Sequence, residues 1–390
     1  RIRSQDLRWN RPCLEGVVSL SRSSLGGVEI DSLALGFRSG PGWFEFDSLG
    51  VATGQGTISV TGRLSSEAVD LALKSADIEL STLGPLFGLS NLEGGFSSDL
   101  LVQGDPSAPS LFGTFWVMDG ALGGVRFECL SGNLNLDRVG RESLGRADLH
   151  FVEGEMLARR WESGDLTFNA DGKVFSYLLQ IGGEEVTVEL EGRGETRPDD
   201  LLLQVTRLLL KLEDQKVENR EEIELVVKDT ELLISKAEFN WPGGSITLSG
   251  RMSPSGESDL SLSGNRVSLR ETCLLFGLKR DLRGEINFRL DGQGRISDPK
   301  MSLTLTGQNI AYQTGIWDTL SLELSYEAKT LQINRMIMWR EGVKSDVTGS
   351  LPLDLSLVGR GRLLTEGRIS LTAILNNTGV WVFFPFRQFV

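Results

Sequence analysis

One histidine, three cysteines and 53 acidic side chains are the groups in this 390-residue chain that could do chemistry. Histidine is the commonest general base, but His150 stands in the alternating run Leu149-His-Phe-Val152 with no serine or cysteine signature to complete a triad. It reads as an ordinary strand residue. An aspartate recurs at Asp70, Asp200, Asp259 and Asp354, each before a Leu-x-Leu. A calcium ladder of the Gly/Asp-rich β-solenoid kind would need such residues a short repeat apart. These lie far too widely spaced, and an aspartate that forms a turn is the expectation. Cys13, Cys129 and Cys273 are remote from one another, show no metal spacing or disulfide framework, and read as buried small hydrophobes. No Gly-x-x-x-x-Gly-Lys-Ser/Thr run is present to cradle a phosphate. The expectation is no enzyme, no catalytic residue, no metal and no cofactor. A net charge of −13 argues against nucleic acid, and against electrostatic adhesion to an anionic membrane.

What the chain has in abundance is alternation. In Gly56-Thr-Ile-Ser-Val-Thr-Gly-Arg-Leu64, Ile58, Val60 and Leu64 point one way, and Thr57, Ser59, Thr61 and Arg63 the other. Period two is the mark of a strand with one buried side. The pattern returns at Gly244-Ser-Ile-Thr-Leu-Ser-Gly-Arg-Met252, and Asp70-Leu-Ala-Leu73 is answered by Asp259-Leu-Ser-Leu262. The series continues in order. Ile78-Glu-Leu80 matches Val267-Ser-Leu269, Leu86-Phe-Gly-Leu89 matches Leu275-Phe-Gly-Leu278, and Leu92-Glu-Gly94 matches Leu282-Arg-Gly284. Gly104 and Pro109 answer Gly294 and Pro299, and weaker copies begin at Val188 and Val347. The chain is a repeat protein. Gly62 and Gly250 fall where a strand bends or lets another backbone come close.

This ordered series resembles the TamB family of the AsmA-like superfamily, over roughly Ser32 to Val390. The resemblance implies an all-β fold: one elongated, twisted, mostly antiparallel repeat sheet, folded lengthwise into a gutter with an apolar concave face. It implies a periplasmic conduit in a diderm bacterium, moving phospholipid between inner and outer membranes through a hydrophobic groove. By the same resemblance this is an interior fragment: a missing N-terminal part would carry the inner-membrane anchor, and a missing C-terminal part would meet an outer-membrane β-barrel protein. Two alternatives stay open, a scaffold or chaperone for outer-membrane protein assembly and a surface β-solenoid adhesin with a closed core.

The groove-lining residues expected in the first copy are Ile58, Val60, Leu64, Leu71, Leu73, Ile78, Leu80, Phe96 and Leu100. In the second they are Ile246, Leu248, Met252, Leu260, Leu262, Val267, Leu269, Ile286, Phe288 and Leu290. Such a lining holds acyl chains by apolar area alone, at roughly 0.8 kcal/mol per buried CH₂. The organisation expected is one continuous domain with leading strands over 1–55, a first repeat block over 56–243 and a second over 244–390. Residues 201–222 could form an amphipathic helix, but the repeat context favours strands. The links Ser81–Asn91 and Arg270–Arg280 are expected to hold a helical turn each. No apolar run is long enough for a transmembrane helix.

Overall fold

The computed structural model describes residues 2–6, 13–25, 28–54, 56–83, 92–122, 125–140, 142–156, 159–212, 215–229, 231–253, 256–275, 281–295, 297–313, 315–355, 362–363 and 369–375. Gly26-Gly27, where paired glycines signal a turn, the link segments Leu86–Leu89 and Phe276–Leu278, and the aromatic-rich residues from Val380 lie outside them. The chain is all-β, a long antiparallel sheet with two short helices among the described residues. It divides into two compact units, Arg1–Glu195 and Thr196–Val390. The boundary lies inside the block expected to run from 56 to 243.

Unit one holds β1 (Ile2–Asp6), β2 (Cys13–Leu25), β3 (Val28–Gly40), β4 (Trp43–Thr53), β5 (Gly56–Ser65), β6 (Val69–Glu79) and the short α1 (Leu80–Leu83). It continues through β7 (Leu92–Asp105), β8 (Ala108–Leu122), β9 (Val125–Asp137), β10 (Ser143–Met156), β11 (Arg159–Gly172), β12 (Val174–Gly182) and β13 (Val186–Thr196). Each described pairing joins strands adjacent in sequence, so this is a meander whose short turns set the register.

Unit two holds β14 (Leu201–Leu212), β15 (Gln215–Asn219), β16 (Ile223–Lys228), β17 (Glu231–Trp241), β18 (Gly244–Met252), β19 (Ser258–Ser268) and α2 (Leu269–Leu275). Then come β20 (Leu282–Arg295), β21 (Asp298–Tyr312), β22 (Gly315–Glu327), β23 (Thr330–Arg340), β24 (Val343–Asp354), β25 (Arg362–Leu363) and β26 (Ser370–Leu375). The stretch open to a helical reading is strand: β14 pairs with β15 at one end and with β16 at the other, the two filling one place beside β17. The turn after β22 has φ of 48° at Ala328 and 59° at Lys329, and that after β23 has 50° at Glu341 and 79° at Gly342. Positive φ at both central residues marks the two-residue hairpin whose twist matches the strands.

The two copies agree in backbone conformation as well as sequence. Gly62 has φ +121° and Gly250 +128°, and a methyl group at either would overlap the carbonyl of Asp70 or Asp259 on the next strand. The close approach expected from the sequence is therefore real. Gly94 and Gly284, at +118° and +115°, match likewise, as do Asp77 and Arg266 at 51° and 50°, and Asp119 and Asn309 at 51° and 52°. Both non-glycine pairs sit at irregularities of the ladder, where an extra residue bends the strand.

Candidate functional site: cross-strand apolar rows

Residues directly opposite one another in an antiparallel ladder project to the same side. In unit one, Leu35, Leu49, Val60, Leu73, Leu100, Gly113, Leu134, Ala147, Phe168, Tyr177 and Gly192 are successive partners from β3 to β13. No charged residue interrupts this row. The neighbouring row through Leu33, Val51 and Ile58 meets Ser75 and Ser98 before resuming at Phe115, Gly132 and Leu149. The two buried hydroxyls hydrogen-bond to each other at 2.8 Å, so the polar break is satisfied within the sheet.

Unit two repeats the arrangement. Ala237, Leu248, Leu262, Leu290, Leu303, Leu324, Ile333 and Gly349 form one row, and Phe239, Ile246, Gly264, Phe288, Leu305, Leu322, Met336 and Val347 the next. Rings lie down over the glycines opposite them: a methyl group at Gly132, Gly194 or Gly264 would overlap Phe115, Phe175 or Phe288. Each ring covers backbone that the missing side chain leaves bare.

Nine of the nineteen residues expected from sequence fall on these rows. Val60, Leu73 and Leu100 are consecutive partners, as are Leu248, Leu262 and Leu290. The ladder irregularities keep Ile78 opposite Phe96 and Val267 opposite Ile286, despite the odd spacing from Leu73 and Leu262. Leu64 pairs with Phe44 and Val69, Leu71 with Val102, Leu260 with Gly250, and Met252 with Leu232. Leu80 and Leu269 are placed differently: they open α1 and α2. Leu49, Leu134, Phe168, Leu303 and Leu322 belong to the rows although sequence reading did not single them out. They alternate just as regularly, in strands that lack the Gly-Arg-Leu mark.

Row residues such as Val60, Leu73, Leu100, Leu248, Leu262 and Leu290 are half-buried, while Ile78 and Val267 at the ladder irregularities are 2% exposed. Leu64 at 40% and Met252 at 38% are exposed. A second layer packed over the rows would bring them below a tenth exposed, as interiors are close-packed.

The other side of the ladder carries ion pairs, some across strands and some along one strand. Lys74 donates to Asp99 at 2.8 Å, Arg289 to Asp291 at 2.8 Å, and Ser261 Oγ to Asp291 at 2.7 Å. Asp291 is held below the usual carboxylate range chiefly by the hydrogen bond from Arg289, and Asp148 by that from Arg146. His150 belongs here too, exposed, with Nδ1 2.8 Å from its cross-strand partner Asp165. Asp70 and Asp259 are corrected from their expected role: each is the second residue of its strand, opposite Arg63 or Arg251, and the turn before β6 is closed by Ser65 instead. Cys273 is buried and Cys129 half-buried. Among the described residues no group of three or more His, Cys, Asp or Glu is arranged to hold a metal ion. Among them, too, no helix is long and apolar enough to cross a membrane.

Neither a protein-family model, nor a curated protein, nor a solved structure matches this chain.

Proposed function

We propose that the cross-strand rows are an open apolar lane that carries the acyl chains of phospholipids, making the chain a segment of a conduit between two membranes. The observation that carries this reading is the unbroken succession of half-buried apolar partners, with ion pairs on the opposite side of the same strands. Half-exposure supports an open lane over a dry closed core. The ladder irregularities at Asp77 and Asp119 recur on β6 and β8, and bulges bend the strands that bear them. Their recurrence supports a lengthwise crease, and with it a gutter whose concave side is the apolar one. Acyl chains would be held by area, at roughly 0.8 kcal/mol per buried CH₂, so no polar pocket is required and movement along the lane is passive. The place for such a device is the periplasm, in agreement with the TamB-like series of motifs.

The test is native mass spectrometry with lipid extraction on chain purified from a diderm host, beside the variant Leu73→Asp, Leu262→Asp. Phospholipid on the wild type, lost from a variant that keeps its β-sheet circular dichroism, is the expected result. A folded wild type free of lipid sinks the proposal.

A further inference from the structure

The ion-paired side of β7 and β8 has a feature that the matching strands β20 and β21 lack. Leu101, Trp116 and Met118 are 41%, 41% and 42% exposed, and the half-buried Phe112 is the cross-strand partner of Leu101. These four lie off the apolar rows, on positions that alternate with Leu100, Phe115 and Val117. The matching positions of β20 and β21 hold Asp291, Ser302, Thr306 and Gln308, on the same two-strand ladder. One fold therefore accepts polar residues at all four places, and folding alone does not demand an exposed tryptophan and methionine there. Exposed apolar clusters of this kind mark interaction surfaces.

Charge specifies the occupant. Residues 1–195 carry 28 acidic against 16 Lys and Arg side chains, a net −12 of the chain's −13. Beyond Met118 the patch adjoins a depression of about 450 Å³ lined by Glu93, Asp119, Glu128, Glu153 and Glu155, with Arg126 and Arg160. None of the five carboxylates makes an ion pair or hydrogen bond among the described residues. Unpaired carboxylates beside an exposed apolar cluster suit an incoming strand or loop with apolar and cationic side chains to offer.

We infer that this surface docks a protein segment in which apolar residues alternate with Lys or Arg, the apolar ones on Trp116 and Met118 and the cations on the carboxylates. This is independent of the lipid lane, which uses the other side of the strands. The probe is a labelled twelve-residue peptide of alternating Leu and Lys, with a Leu/Glu peptide as control, measured by fluorescence anisotropy on the full chain at 0.15 M salt. The charge-neutral variant Leu101→Ser, Trp116→Thr, Met118→Gln brings in residues of the kind the second repeat tolerates. A second variant is Asp119→Asn, Glu128→Gln, Glu153→Gln. Expected are a tenfold or greater loss of Leu/Lys binding in each, no Leu/Glu binding, and hydrogen-exchange protection of 111–119 in the wild type with peptide bound. Undiminished binding to the first variant would mean bulk charge alone and overturn the inference. So would protection confined to other strands, loss of binding in Leu73→Asp, Leu262→Asp, or a wild-type dimer by sedimentation that the first variant abolishes, since that assigns the patch to a second copy.

Discussion

At residue scale the firmest consequences concern glycine. Gly250 has φ +128° and no room for a methyl group against the Asp259 carbonyl, so Gly250→Ala is expected to destabilise unit two by about 1–3 kcal/mol or more. Gly50 lies in β4 with open space around it and ordinary φ. Gly50→Ala should be neutral or stabilising by about 0.5–1 kcal/mol, because a strand glycine costs chain entropy. Urea midpoints for the two variants check the contrast, and equal midpoints would refute it. The acid side of the stability curve is also a residue-scale matter. Glu238 accepts from Arg220 at 2.7 Å and lies 2.9 Å from Lys236, and the hydrogen bond from Arg220 is the first cause of its lowered pKa. A carboxylate depressed in the folded state contributes stability above its unfolded pKa and loses it as pH falls. Stability should therefore decline from about pH 4.3 downward, the ordinary glutamate value. Glu238→Gln should flatten part of that decline, as read from thermal midpoints between pH 3 and 6.

At the scale of elements, α2 shows how a link is tied to the sheet. Ser268 Oγ accepts from the Glu271 N–H at 3.3 Å, Cys273 is buried, and Gln215 of β15 donates to the Glu271 carboxylate at 2.7 Å. Glu271→Ala keeps the backbone of α2 but removes its side-chain tie to β15. Amides of 269–275 should then exchange faster while those of β20 and β21 do not; unchanged exchange in α2 would show that Cys273 alone holds it. The strands make the opposite case. Thr304 lies in the middle of β21, paired with Arg289 on one side and Glu323 on the other. Thr304→Pro removes a ladder donor between two neighbours and is expected to cost about 3 kcal/mol or more, visible as loss of folded protein.

At the scale of the whole molecule, described strands pair with strands near them in sequence, in each unit separately. Arrays of that kind lose cooperativity, because each added strand is stabilised by its neighbours alone. Urea unfolding followed by tryptophan fluorescence should not coincide with that followed by circular dichroism; a single coincident transition would show that the units unfold as one.

Alternation, the Gly-Arg-Leu mark and the ordered second copy made the strand class and the repeat legible in the sequence, because side-chain period and turn chemistry are local properties of the chain. The pairing of Val60 with Leu73 and Leu100 was legible for the same reason, since short turns leave the register little freedom. Three things were decided only in three dimensions. Whether 201–222 became helix or strand depended on the pairing of β14 with β15 and β16, and propensity yields to such pairing. That Asp70 and Asp259 sit within strands opposite arginine, while Ser65 closes a turn, depended on where the ladder ended. That Trp116 and Met118 are exposed while Phe115 and Val117 join the rows depended on which side of β8 faced which partners. Alternation divides a strand into two sides, and only the assembled sheet decides what each side meets.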